Sequence, residues 1–265
     1  SGKIKDFELF DGQDFDSKTV TAILKKHTTL GFNSSNYDMP VIVAALRGDT
    51  NAQIKQLSDD IINAPKVWPV LKKHKINIPA SFDHIDIMPI PIGQASLKIY
   101  GGRLHAPKMQ DLPIEPSALI SPFHRKTLRL YCHNDLQVTR ILYEELKPQI
   151  ALREQMSKQY GIDLRSNSDA QIAENVIKHE LEAKNIDCTR PTVKIGTKYK
   201  YTTPKHITFK SPLFNDLVAM IERTDFVVND NGQVALPDEL LTKISFDGAE
   251  YQLGIGGIHS CESSQ

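Results

Sequence analysis

The stretch from Leu30 to Val41 constrains this chain most. A short apolar run, Leu30-Gly31-Phe32, breaks at Asn33-Ser34-Ser35-Asn36 and apolar sequence resumes at Met39. Strand, polar turn and helix in that order form the βα step of an α/β protein. Pro40 falls in the first turn of the expected helix, where the missing N–H does no harm. Asp38 falls in the same turn, where the helix N-terminus favours a carboxylate. A second informative segment, Tyr131-Cys132-His133-Asn134-Asp135, lies in a helical stretch expected over 121–145. Tyr131 and Asp135 are i and i+4 and share one helix face. A phenol and a carboxylate on one turn can hold a water between them and a cation beside them. His133 points to a different face of that helix.

The rest of the first half reads as alternating elements. Residues 4–10 alternate Ile4, Phe7 and Leu9 with Lys5, Asp6 and Glu8, the pattern of a half-buried strand ended by Asp11-Gly12. Ser17 is the expected cap of a helix reaching 26. A strand is expected over 30–32, helices from 39 and over 53–62, a strand over 85–88 and a helix from 96. The predicted fold class is therefore α/β, with a mixed sheet flanked by helices over 1–148. A smaller α+β segment follows over 149–265. There, helices are expected over 150–160, over 169–184 behind Ser168 and over 211–222. Residues 193–208 are rich in β-branched and aromatic side chains and read as short strands or an extended arm. Residues 232–257 read as small β structure with turns at Asp230-Asn231-Gly232 and Asp247-Gly248.

Composition narrows the function classes. Lys+Arg and Asp+Glu both number 32, so the formal net charge is zero. A free-standing nucleic-acid binder is more often basic, whereas a nuclease can be neutral when acidic ligands offset a basic groove. The 3 cysteines have neither metal-ligand spacing nor an even count, which suggests a reducing, cytoplasmic setting. No apolar run approaches the length of a membrane span, so no membrane partner is expected. The histidines show no zinc spacing. Gly254-Ile255-Gly256-Gly257 precedes no helix and reads as a tight turn rather than a dinucleotide loop. Asp86, in an apolar strand, reads equally well as structural or catalytic.

Asn33, Tyr37 and Asp38 together resemble the second motif of the DnaQ-like 3′–5′ exonucleases, which reads Asn, three residues, an aromatic, Asp. Tyr131 and Asp135 resemble the third, Tyr-x-x-x-Asp. Three further segments are similar to phage-type, family B-like DNA polymerases: 100–113 ahead of the third motif, 166–174 after the exonuclease domain, and 251–260 ahead of the first palm motif. The palm signature itself does not follow. The resemblance covers nearly the whole chain and implies the front part of such a polymerase.

What the resemblance implies is an RNase H-like exonuclease fold and two-metal hydrolysis of single-stranded DNA at its 3′ end, with Mg²⁺ or Mn²⁺. Asp38 and Asp135 would be metal ligands. Tyr131 would orient the attacking water, and Asn33 would touch the strand end. The family's first motif, Asp-x-Glu on a buried strand, is matched only by Asp6-Phe7-Glu8. That segment lies too close to Asp38 and is expected to be the solvent face of a later strand, with the true motif upstream of Ser1. The chain would then bind metal weakly and cut poorly by itself. The remaining polymerase chain is the expected protein partner. The basic and aromatic segment 193–210, with Lys198, Lys200 and Lys205, reads either as a DNA-contacting arm or as a solvated hairpin. Two functions stand side by side: a proofreading exonuclease region, and a non-catalytic DNA- or partner-binding scaffold such as one piece of a split polymerase.

Overall fold

A two-stranded parallel sheet organises the front of the chain. The computed structural model describes residues 3–91, 93, 95–189 and 192–261. Helix α1 (Ser17–Lys26) is capped by Asp16, whose carboxylate accepts the Thr19 N–H, and it ends on Lys25 and Lys26, which suit the negative helix terminus. Strand β1 (Thr29–Gly31) follows. Helices α2 (Asp38–Arg47), α3 (Asn51–Asn63) and α4 (Val67–Lys73) then cross to β2 (His84–Asp86), which pairs with β1 in parallel, Gly31 opposite Asp86. A parallel pair needs a long crossover, and the three helices supply it. The sequence carried no reading for α4.

Helix α5 (Leu97–Arg103) and the 39-residue α6 (Pro122–Tyr160) complete the wall behind the sheet. Val138, Leu142, Leu146 and Ile150 recur every four residues and lie buried along one stripe of α6. Leu142, Leu146 and Ile150 pack with Ile85, Ile87, Ile90 and Tyr100. A Cβ on Gly101 would stand 3.0 Å from Val138, so α5 and α6 approach closely at a glycine. Helix α7 (Asp169–Glu182) starts from a Ser168 capping box. It is tied to α6 by Arg153, which is 2 % exposed, donates to the Asn167 carbonyl and pairs with Asp169.

Two expectations are corrected. Residues 4–10 form no strand; among the described residues the pairing there is a single bridge, Phe10 to Gln13. Their alternation is used differently. Phe7 packs against Val20, Leu24 and Met39. Asp6 and Glu8 face α6, with His133 Nε2 2.6 Å from Asp6 and Arg129 Nη2 2.6 Å from Glu8. They stay partly open to solvent and meet side chains of α6 there, without the strand expected to carry them. Second, α6 continues through Pro148 to Tyr160. The chain forms two compact units, Ser1–Asp187 and Cys188–Gln265, so the boundary lies after α7 rather than near 148.

In the second unit β3 (Lys198–Tyr199) pairs antiparallel with β4 (Phe226–Val227), and α8 (Pro212–Arg223) lies between them in sequence. Asp238–Leu240 forms a short 3-10 turn. Strands β5 (Ile244–Phe246), β6 (Ala249–Gly254) and β7 (Gly257–Ser260) make an antiparallel meander. The β5–β6 turn is Asp247-Gly248, both at positive φ as a tight hairpin requires. The chain is mixed α/β with small sheets.

Candidate active site

The loop between β1 and α2 sits at the carboxyl ends of the two parallel strands, the position where open α/β sheets bind ligands. Gly31 opens it. A Cβ there would overlap the Ser34 side chain, so only glycine allows the turn. Asn33 adopts a left-handed backbone (φ 55), which Asn tolerates better than most residues. The loop is held from below by Asp86, 3 % exposed, at the end of β2. Its carboxylate accepts the N–H groups of Asn33 (2.9 Å), Ser35 (2.9 Å) and Met88 (3.0 Å). Its own N–H donates to Ser166 Oγ at 2.9 Å. On the other side His84 bridges Ser34 Oγ (2.7 Å) and Thr29 Oγ1 (2.8 Å). Burial pushes the His84 pKa down, against the pull of Asp86 and Asp83.

Tyr37 packs against the apolar cluster of Ala44, Leu57, Ile61, Val70 and Ile76, and its hydroxyl meets Ser58 Oγ at 2.8 Å. Anchoring Tyr37 sets where Asp38 begins α2. Asp38 keeps contact with solvent, yet the protein crowding its carboxyl raises the pKa. Its backbone N–H opposes that rise and the Asp86 carboxylate adds to it.

On α6, Tyr131 and Asp135 stand together as the i, i+4 spacing predicts. Burial raises the Asp135 pKa, and the Tyr131 hydroxyl opposes the rise. The Tyr131 phenol is itself raised, first by burial and then by Asp135, with Cys132 and Asp111 adding. Cys132 follows Tyr131 on α6. Its thiol is raised by burial and then by the carboxylates of Asp135, Asp38 and Asp6, in that order. One sulfur therefore feels carboxylates from α6, from the start of α2 and from the N-terminal segment.

The oxygen donors of Asp38, Asp135 and Tyr131 are of the hard type that Mg²⁺ and Mn²⁺ take. Among the described residues no three His, Cys, Asp or Glu side chains stand as a ready-made metal-binding group. Asp6 and Glu8, in the Asp-x-Glu pattern, are occupied by His133 and Arg129. Asp86 emerges as the loop's organiser, a role no local sequence pattern marks. Lys198, Lys200 and Lys205 belong to the second unit. Lys198 and Lys200 both pair with Asp225, at 3.1 and 3.6 Å, and Lys205 is exposed. No described helix is long and apolar enough to cross a membrane. Comparison with protein-family profiles, with curated proteins and with solved structures finds no match for this chain.

Proposed function

We propose that the first unit carries a 3′–5′ exonuclease-type site, of the kind that proofreads in phage-type DNA polymerases, on a DnaQ-like fold. What supports the reading is the pairing of Tyr131 with Asp135 on one turn of α6, together with the match of Asn33, Tyr37 and Asp38 to the second exonuclease motif. Mg²⁺ or Mn²⁺, when bound, supplies Lewis acidity and a nucleophilic water at a phosphodiester. Asp38 and Asp135 hold that cation. The Tyr131 hydroxyl stays protonated well above neutral pH, because burial and Asp135 raise its pKa. It can therefore donate to the attacking water or to the scissile phosphate. The Asn33 side-chain carbonyl already accepts from Asn36 at 3.0 Å, which leaves its amide N–H₂ to meet the strand end. The setting that suits this function and the cysteine usage is a reducing cytoplasm, that of the host if the protein is viral.

The engagement of Asp6 and Glu8 by His133 and Arg129 favours a second reading, a non-catalytic DNA- or partner-binding scaffold that keeps the fold. The two are separated by Mn²⁺ titration followed by electron paramagnetic resonance, run beside digestion of a 3′-labelled single-stranded oligonucleotide. On the exonuclease reading Mn²⁺ binds weakly, Asp38→Asn and Asp135→Asn each remove that binding, and the oligonucleotide stays nearly intact for want of two further carboxylates. Robust digestion abolished by either substitution would mean that Asp6 and Glu8 complete the set. Mn²⁺ binding indifferent to both substitutions would leave the scaffold reading.

A further inference from the structure

The second unit holds a groove of about 760 Å³ between α8, the β5–β7 meander and the segment around Tyr199–Phe209. Its wall is a connected aromatic cluster. The Phe214 ring lies 5.6 Å from Phe209, 4.9 Å from Phe246 and 6.4 Å from Tyr251. Tyr199, Tyr201, Phe209 and Phe246 also line the groove and remain 38–46 % exposed, and no described residue of α8 is fully buried. Large rings left open to water in one concave surface mark a binding site rather than scattered surface residues.

The rim says what chemistry fits. Between 193 and 210 stand five lysines (194, 198, 200, 205, 210) and no acid. The Nζ atoms of Lys198 and Lys200 lie 3.1 and 3.6 Å from the two oxygens of Asp225, so one carboxylate is shared by two ammonium groups. Tyr199, Lys200 and Tyr201 all line the groove, so an ammonium group stands among its rings. An acyl chain would use the groove and leave the lysines idle. A polyanion with flat apolar faces uses both. We infer that this groove binds single-stranded polynucleotide, with bases stacked on Tyr199, Tyr201, Phe209 and Phe246 and phosphates replacing Asp225 on Lys198 and Lys200. The inference is independent of the Asp38–Asp135 reading.

The test uses the full chain and a fluorescein-labelled oligothymidylate of about 12 nucleotides, followed by anisotropy over a range of salt. Tyr201→Leu should weaken binding roughly 5- to 100-fold through lost stacking. Replacing Lys198 and Lys200 by Ala should flatten the slope of log K against log salt by about 0.7 per lost phosphate contact. Asp225→Asn should tighten binding about threefold or more at low salt, since the competing carboxylate has lost its charge. This last variant removes an exposed ion pair of little structural worth, so it keeps the inference falsifiable if Tyr201→Leu fails to fold. An Asp225→Asn protein that binds no more tightly than the wild type overturns the inference. So does a groove occupied by a second copy, seen as self-association in sedimentation that the oligothymidylate does not reverse. Asp38→Asn and Asp135→Asn should leave this affinity unchanged, so failure of the nuclease reading and failure of this one are separately visible.

Discussion

Asp86 does the most for the candidate site without belonging to its chemistry. One buried carboxylate satisfies two backbone N–H groups of the loop and that of Met88, just beyond its own strand. Asp86→Ala should cost about 3 kcal/mol, the desolvation penalty of donors left without an acceptor, read as a lower urea midpoint. A loss below about 1 kcal/mol would mean that the loop holds its own shape. Asp38 works in the opposite direction. Its folded-state pKa is raised above the ordinary 3.8, so the folded chain keeps a proton that the unfolded chain has released. Stability contributed by this group is full below 3.8, falls as pH rises through the raised value, and stays reduced at neutral pH. Asp38→Asn should therefore melt higher than wild type at pH 7 and show no such gain near pH 3. An equal or lower melting temperature at pH 7 would remove the case for strain at this carboxyl. The local settings of Asn33 and Asp38, a turn before a helix, and of Tyr131 and Asp135, one helical face, were legible in the sequence because each is local. Asp86 was not, because its role comes from the register that sets it opposite Gly31, with its carboxylate on an N–H 53 residues earlier in the chain.

Elements were legible where a pattern had only one way to be satisfied. The Ser168 cap and the Asp247-Gly248 hairpin stand where capping and turn chemistry put them, and the helix expected from 39 starts one residue earlier, at Asp38. Residues 4–10 differ from expectation because alternation alone does not say what the two faces meet. Phe7 finds a helical core and Asp6 finds His133, so no ladder partner is needed. Pro148 misleads for a different reason. It cannot donate to the Glu144 carbonyl, and the sequence at that point reads as a boundary. Leu146 and Ile150 on either side are buried against the sheet's core, and that burial carries α6 across the defect. Pro148 itself is exposed. Pro148→Ala should thus restore a helical hydrogen bond with no loss of packing. The expected gain is about 2 kcal/mol, from roughly 3 for a helix-interior proline less the roughly 0.4–1 its rigidity returns through the unfolded chain. A destabilised Pro148→Ala protein would show that a kink at this point is required.

Across the whole molecule the two units differ in how much they bury. Three apolar clusters lie in Ser1–Asp187. In Cys188–Gln265 the described apolar residues that are fully buried are Val228 and Leu240. Local stability follows buried apolar contact, and binding regions come from the less stable end. Hydrogen exchange read by mass spectrometry should show slow amides along the core stripe of α6 and in β2. Amides of α8 and of the β5–β7 meander should exchange faster. Each proposed ligand should then protect its own region, since a ligand stabilises the state it binds. Oligothymidylate should slow exchange around 198–209 and 246–258. Mn²⁺ should slow it around 33–38 and 131–135, where Asp38, Tyr131 and Asp135 would close on the ion. Protection of the β1–α2 loop by oligothymidylate without metal would make that loop a strand-binding surface in its own right, and the scaffold reading of the first unit would then be preferred. Protection by Mn²⁺ alone, confined to the two motif segments, is the pattern that a carboxylate site for a divalent cation requires.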